Sequence, residues 1–173
     1  MAVRTQGSRV LAAVVLMAAM AQGSWVRRAG GALEDSAIGV AVESAVVVAG
    51  SMRGASTFGS SPACGGEYHG PFVAKVSGSN GDCMWAARVV AEAEPPSARP
   101  AGFAVDASGD ALITGSYRGA LSFGATSELS LPRAAVPSGG ASTTDVFLAK
   151  VDGTTGDFLW AVRASSVSND EAT

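Results

Sequence analysis

The only histidine of the chain, His69, lies in the segment CGGEYHGP, where most neighbours are residues that form turns. A Ser-His-Asp triad would need this histidine buried beside a nucleophile and a carboxylate, so we expect an exposed loop residue instead. Glu67 and Tyr68 precede it, and the three side chains together are a candidate contact for a ligand. We expect no catalytic residue in this segment.

Two aspartates in the segment DASGD, Asp106 and Asp110, are candidate oxygen ligands for calcium. The other ligands of an EF-hand loop are absent, and an Asx-type hairpin turn explains the spacing better. The sequence has no CxxC or Cys/His cluster with zinc spacing, and no Walker, HExxH or G-x-S-x-G motif in its proper context. We therefore expect neither a metal site nor a cofactor.

Two cysteines, Cys64 and Cys83, allow one disulfide in an oxidising compartment. The bridge would close a loop of about 20 residues and contribute roughly 3 kcal/mol. Two unpaired, partly buried thiols are the alternative.

The first 21 residues resemble a secretory leader, with Arg4 and Arg9 before an apolar segment and an A-x-A-like cleavage site at residues 19–21. This pattern predicts a secreted or surface-exposed protein. No acidic residue precedes Glu34, which also suits a transit peptide and an organelle lumen. The apolar segment is about half the roughly 20 residues that a membrane span needs, so we expect no span.

The charge of the chain disfavours nucleic-acid binding. Removal of residues 1–21 would take away two of the 12 basic residues and none of the 15 acidic ones, which leaves about five net negative charges. Such a surface repels phosphate backbones, and no basic stripe with interleaved aromatic residues offsets it.

A segment with Asp, two Thr, Gly and Trp, DGTTGDFLW, has a near copy earlier in the chain, and this repetition indicates structure more than chemistry. Residues 50–59 match residues 115–124 at seven of ten positions, and residues 72–88 match residues 147–163 at ten of 17. The chain therefore contains two copies of one unit.

Each unit has the signals of strands and turns. FAVD and ALITG flank ASGD, and VFLAKV and FLWAVRAS flank DGTTGD, so each copy is predicted to form four antiparallel strands. AVVVA and VFLAKV are almost continuously apolar, which indicates burial on both faces. We predict an all-β fold of β-propeller blades, with an eight-stranded β-sandwich as the alternative.

The predicted organisation follows from the two copies. It comprises a leader (1–21), an N-terminal linker (22–36), repeat 1 (37–91), a second linker (92–101) and repeat 2 (102–173). EDSAIGVAV opens the first unit, and NDEAT ends the chain just before the next GVAV would begin, which predicts a truncated array.

GFAVDASGDALITGS followed by DVFLAKVDGTTGDFLWAVR resembles the SBBP repeat of bacterial-type β-propellers. DGTTGDFLW is also similar to the tryptophan-docking motif of quinoprotein dehydrogenases, in which the tryptophan packs between neighbouring blades and the glycine makes a tight turn. The resemblance implies structural roles, without a cofactor, for the repeat signature residues Gly50, Gly59, Trp85, Gly115, Gly124, Asp152, Gly156 and Trp160.

The sequence as a whole favours a non-catalytic scaffold that binds a protein or glycan ligand. Its long connections, residues 59–70 and 124–145, are where we expect specificity. Further blades would come from a longer chain or from self-association. A fragment of a larger propeller enzyme, either a hydrolase or a quinoprotein, and a purely structural repeat are the alternatives.

Overall fold

A computed structural model gives the structure of the protein and describes residues 14–20, 23–42, 44–58, 61–91, 97–124, 129–132 and 144–164. This part of the chain contains β-strands and no helix, so the predicted all-β class is confirmed. In chain order the strands are β1 (Val14–Met20), β2 (Gly23–Gly31), β3 (Ser36–Val42), β4 (Ala45–Phe58), β5 (Ser61–Ser77), β6 (Cys83–Ala91), β7 (Ala98–Val105), β8 (Ala111–Tyr117), β9 (Leu121–Phe123), β10 (Leu129–Leu131), β11 (Asp145–Val151) and β12 (Phe158–Ala164).

The strands form two antiparallel sheets. Unit 1 is the meander β3-β4-β5-β6, and its sheet also includes the β1–β2 hairpin and the β9–β10 hairpin. Unit 2 is the meander β7-β8-β11-β12. Each sequence copy therefore folds into four antiparallel strands, as its turn residues predict. In unit 2 the β9–β10 hairpin lies between the second and third of these strands in the chain.

The two units pair their strands in the same register. Gly50 in β4 lies opposite Phe72 in β5, and the equivalent Gly115 in β8 lies opposite Phe147 in β11. A Cβ atom on either glycine would collide with a carbonyl oxygen of the preceding strand. Glycine is therefore required at both positions because the neighbouring backbone approaches too closely for any side chain.

The outer hairpins of the units are also equivalent. Lys75 lies opposite Trp85 in unit 1, and Lys150 lies opposite Trp160 in unit 2. The register shifts immediately after each lysine. A shared irregularity is stronger support for repetition than shared strands, because bulges are specific local features.

Two apolar clusters lie within the part of the chain that the structure describes. The larger cluster joins the units through side chains such as Val73, Trp85, Ile113 and Phe147. The smaller one joins β2 to unit 1 and includes Trp25 together with Val46, Met52 and Phe72. Packing between successive elements of the repeat thus provides much of the core.

The structure differs from the sequence-based organisation at the predicted linkers and at one predicted loop. Residues 23–31, predicted as linker, form β2, which pairs with β4. β7 begins at Ala98, inside the second predicted linker, and residues 61–70, predicted as a loop, extend β5. These segments form strands because a neighbouring backbone edge is available for pairing.

The apolar segment of the predicted leader forms β1, antiparallel to β2. Among the described residues, no helix is long and apolar enough to cross a membrane. Residues 1–13, Gly59, most of the connection between Gly124 and Asp145, and residues 165–173 lie outside the described part.

The predicted burial of the middle strands holds for β4 but only in part for β11. Residues 45–50 of β4 are all buried. In β11 buried positions alternate with half-buried ones. One face of unit 2 is therefore less covered than the corresponding face of unit 1.

Candidate functional site

The junction between β2 and unit 1 is built on a tryptophan and a glycine. Trp25 is 8% exposed, and the β5–β6 turn places Gly81, with φ of 72°, against its ring. The Trp25 indole Nε1 donates to the carbonyl oxygen of Gly78 at 2.9 Å. The left-handed glycine lets the turn backbone lie directly on the indole, where a Cβ atom would collide with the ring.

The junction between the two units repeats this arrangement one unit later. Trp85, also 8% exposed, lies against Gly156, whose φ is 81°. A Cβ atom at Gly156 would lie 2.8 Å from the ring atom Cδ2 of Trp85. Trp85 thus contacts unit 2 as Trp25 contacts unit 1.

Backbone pairing at the strand ends is repeated as well. Ala29 in β2 lies opposite Phe58 in β4, and Val89 in β6 lies opposite the equivalent Phe123 in β9. The following two residue pairs match in the same way. The chain therefore uses one type of junction twice.

The role of Trp25 was missed by the sequence reasoning, which placed it in a linker. The pattern Trp-x-x-Arg occurs at residues 25–28, 85–88 and 160–163. Aligning these three short segments would have identified β2 as a third copy of the last strand of a unit.

In β12, the third copy of this strand, the tryptophan is partly exposed. Trp160 is 36% exposed, and its neighbours Leu159 and Val162 are 49% and 51% exposed. Trp25 and Trp85, in the equivalent strands, are buried. We call the side chains of Trp160 and Val162 the open face.

A cavity of about 410 Å³ lies at the junction between the units. One wall is formed by β6, including Trp85 and Arg88, and the opposite wall by Thr155 and Asp157 of the β11–β12 turn. Its volume is within the range of small-molecule sites. Within the described residues, the cavity and the open face are the candidate sites that we consider.

The hydrogen bonding of the two buried tryptophans differs. Gly153 is the unit 2 equivalent of Gly78, but its carbonyl oxygen accepts from the Lys75 Nζ at 2.6 Å. The buried Nε1 of Trp85 has no hydrogen-bond partner in the part of the chain that the structure describes. A buried donor without an acceptor costs about 1–3 kcal/mol.

The three predicted ligand contacts, Glu67, Tyr68 and His69, lie on β5 and differ in burial. Glu67 and His69 are exposed, with 3.9 Å between the glutamate Oε2 and the histidine Nε2. Tyr68 is buried instead, and its hydroxyl donates to the Cys64 carbonyl at 2.9 Å. Burial raises the pKa of Tyr68 above its ordinary value, so its hydroxyl keeps its proton.

Cys64 and Cys83 form a disulfide with 6.3 Å between their Cα atoms. The bridge links the start of β5 to the start of β6, next to the turn that contacts Trp25. It therefore constrains the hairpin that carries the first junction.

The aspartates of DASGD form a turn and an ion-pair cluster. Asp106 accepts from the backbone N–H groups of Ser108 and Asp110 at 2.8 and 3.1 Å, which is an Asx-type arrangement. The Lys150 Nζ lies 2.8 Å from Asp106 Oδ2 and 3.0 Å from Asp110 Oδ2. Its hydrogen bond lowers the pKa of Asp106, and the two carboxylates raise the pKa of Lys150.

The aspartate of DGTTGD stabilises its own turn. Asp152 accepts from the backbone N–H groups of Thr155 and Thr154 at 2.9 and 2.7 Å, and these bonds lower its pKa. Among the described residues, no group of three or more His, Cys, Asp or Glu side chains is placed to hold a metal ion. The side chains of Asp106, Asp110 and Asp152 thus have structural partners.

No protein-family model, curated protein or solved structure matches this chain. The resemblance to the SBBP repeat therefore stays a prediction from the sequence.

Proposed function

We propose that the protein is a non-catalytic interaction scaffold in which each four-stranded unit is a blade of a β-propeller-type array. The repeated registers, the shared irregularity after each lysine and the twice-used junction support this proposal. All three features describe units that stack in one direction, which is how repeat proteins extend their cores.

The observation that carries the proposal is the open face. A strand with the same Trp-x-x-Arg pattern is docked in two places and exposed in the third, so its natural partner is another unit of the same repeat. The partner unit belongs to a longer chain, or to a second copy in which β12 replaces β2 on unit 1, because β2 and β6 already cover the corresponding surfaces of the two units. Because this contact is head to tail, association through it forms rings or filaments.

The scaffold acts outside the cell or on its surface. The leader-like start of the sequence and the Cys64–Cys83 bridge support this location, because disulfides persist in oxidising compartments. Protein or glycan ligands would bind the variable connections between strands, where a rigid repeat can present different loops.

Light scattering coupled to size-exclusion chromatography tests the proposal. We expect the molar mass of the folded protein to increase with concentration. Trp160→Ser removes the largest side chain of the open face, and burial of such a side chain is worth about 1.5–3 kcal/mol. The variant should therefore weaken association by about ten- to a hundredfold.

Met84→Ser is the matched control, because Met84 is 55% exposed at the β6 position equivalent to Leu159. It removes exposed apolar surface outside the open face and should associate like the wild type. A folded wild-type protein that stays monomeric at every concentration would overturn the proposal, as would equal association of the Trp160→Ser variant.

A further inference from the structure

We infer that β2 occupies part of the surface of unit 1 that receives unit 2 of a second copy, and that β2 leaves this surface when the copies join. The inference rests on the association proposed above and adds the surface to which β12 binds. This surface consists of the turn around Gly81 and the side chains of Val40 and Val42 on β3, and we call it the acceptor face.

The junction between the units has a second contact besides the tryptophan and the glycine turn. Phe103 of β7 lies against Gly39 of β3, where a Cβ atom would be 2.8 Å from the Phe103 Cδ1. Phe103 and Val105 are partly buried and pack against the larger apolar cluster. Unit 2 therefore meets the preceding unit with two parts, its glycine turn and the apolar side chains of its first strand.

Unit 1 presents the same two parts, but β2 covers only one of them. Val40 and Val42 are the equivalents of Phe103 and Val105, because the first strands of both units pair with the second strands in the same register. Val40 is 48% exposed and Val42 is 56% exposed, whereas the glycine turn of unit 1 lies under Trp25. β2 thus substitutes for only part of a preceding unit.

Unit 2 of a second copy has the surface that fits the whole acceptor face. Its β12 presents Trp160 at the position of Trp85, and its β7 presents Gly102 at the position of Gly39. Among the described residues, the atom that a Cβ at Gly102 would meet is the Thr114 Cγ2 of the same unit. A second copy therefore covers the valines that β2 leaves exposed, and this additional apolar burial favours the exchange.

The attachment of β2 to unit 1 is small. Only residues 29–31 of β2 pair with β4, whereas residues 23–29 pair with β1, so the β1–β2 hairpin keeps its own pairing when it leaves. The Trp25 Nε1 donates to the Gly78 carbonyl at 2.9 Å, and an indole at the position of Trp160 can make the same bond. The exchange of an equivalent strand between two copies conserves most contacts, as in domain swapping.

Trp25→Phe in the full chain tests the exchange of β2. Phenylalanine keeps an aromatic ring but lacks the N–H that donates to Gly78, so the change weakens docking of β2 and leaves β12 intact. Light scattering should show association strengthened by about two- to tenfold. Val26→Ala is the control, because Val26 lies beside Trp25 and is 55% exposed, and it should associate like the wild type.

The indole N–H of Trp25 gives a second measurement, which needs no variant. Its exchange with water, followed by NMR, should be slow in the dilute protein, where the indole is hydrogen-bonded to Gly78. We expect this exchange to become faster as the concentration increases, because β2 leaves the acceptor face.

Val40→Ser tests the part of the acceptor face that β2 leaves uncovered. The variant removes apolar surface that becomes buried only when the copies join, so association should weaken by about tenfold. Met84→Ser is the control, because it removes a side chain of similar exposure from β6, outside both the open face and the acceptor face.

Unchanged or weaker association in Trp25→Phe, or a Trp25 exchange that stays slow in the associated protein, would overturn the displacement of β2. Unchanged association in Val40→Ser would remove β3 from the acceptor face. Failure of the proposed function is a different result, namely equal association of the wild type and the Trp160→Ser variant. A protein that is monomeric both as the wild type and as Trp25→Phe would overturn the two together.

Discussion

At the scale of single residues, two glycines decide how the units meet. Gly81 and Gly156 both have a positive φ, and each places a turn against a tryptophan of the preceding element. Any side chain at these positions meets two penalties, backbone strain and collision with the indole. The tryptophan and the glycine therefore act as a pair.

We predict that Gly156→Ala destabilises the protein more than Gly124→Ala does. The two glycines have nearly the same φ, 81° and 79°, so the backbone strain should be similar in both variants. At Gly124 the nearest atom to a Cβ is 3.9 Å away, whereas at Gly156 it is 2.8 Å away. Denaturant unfolding should show an extra loss of about 1–3 kcal/mol in Gly156→Ala, and equal losses would contradict this packing.

A second prediction at this scale concerns the ion-pair cluster of Lys150. The pKa of Asp106 is below its ordinary 3.8, so its stabilisation is present above that pH and is lost as the pH falls through the lowered pKa. The pKa of Lys150 is above its ordinary 10.5, so its stabilisation is present below that pH and is lost as the pH rises through the raised pKa.

Asp106→Asn should therefore flatten the pH dependence of unfolding on both the acid and the alkaline side. Asp152→Asn is the matched comparison, because backbone N–H groups cause most of the lowering of the Asp152 pKa. It should flatten the acid side alone. Unfolding followed by circular dichroism from acid to alkaline pH checks both, and an unchanged alkaline side in Asp106→Asn would count against the Lys150 cluster.

At the scale of elements, β2 is a docked strand, although the sequence predicts a linker there. It pairs with β4 through a few residues at its end, and its main side-chain anchor is Trp25. Its junction has the same register and the same tryptophan–glycine contact as the junction between the units. β2 is therefore a docked last strand and not a connection.

We predict that Trp25→Ala lowers the free energy of unfolding by about 3–5 kcal/mol, the usual cost of deleting a buried aromatic side chain. Val26→Ala is the control, because the adjacent Val26 is 55% exposed and its loss should stay within about 0.5 kcal/mol. Chemical denaturation measures both, and similar effects of the two changes would show that β2 is not anchored through Trp25.

The strands within each unit could be predicted from the sequence because their signals are local. The glycines and aspartates of the turns and the apolar strands between them are contiguous, and the two copies align. Trp25 was missed because its segment keeps only Trp and Arg of the pattern and lacks the preceding turn. The leader-like residues before it also favour another interpretation.

The cavity could not be predicted from the sequence. Its lining combines strand β6 of unit 1 with the β11–β12 turn of unit 2, which are far apart in the chain. Such a contact between distant segments has no local sequence pattern. It becomes visible only when the two junctions are compared in space.

At the scale of the whole molecule, one type of junction explains both the core and the exposed surface. The buried clusters lie where a tryptophan strand meets the following unit, and the open face lies where the same strand has no such cover. Contacts of this kind propagate from unit to unit because each unit presents one face and accepts another.

The most direct test is the exchange of the Trp160 indole N–H with water, measured by NMR at low and high protein concentration in the full chain. At low concentration Trp25, whose indole is hydrogen-bonded to Gly78, is the internal reference for a docked strand. We predict that the Trp160 exchange slows towards the Trp25 value as the protein associates. Exchange at Trp160 that stays fast in the associated protein would contradict docking of β12 onto a further unit.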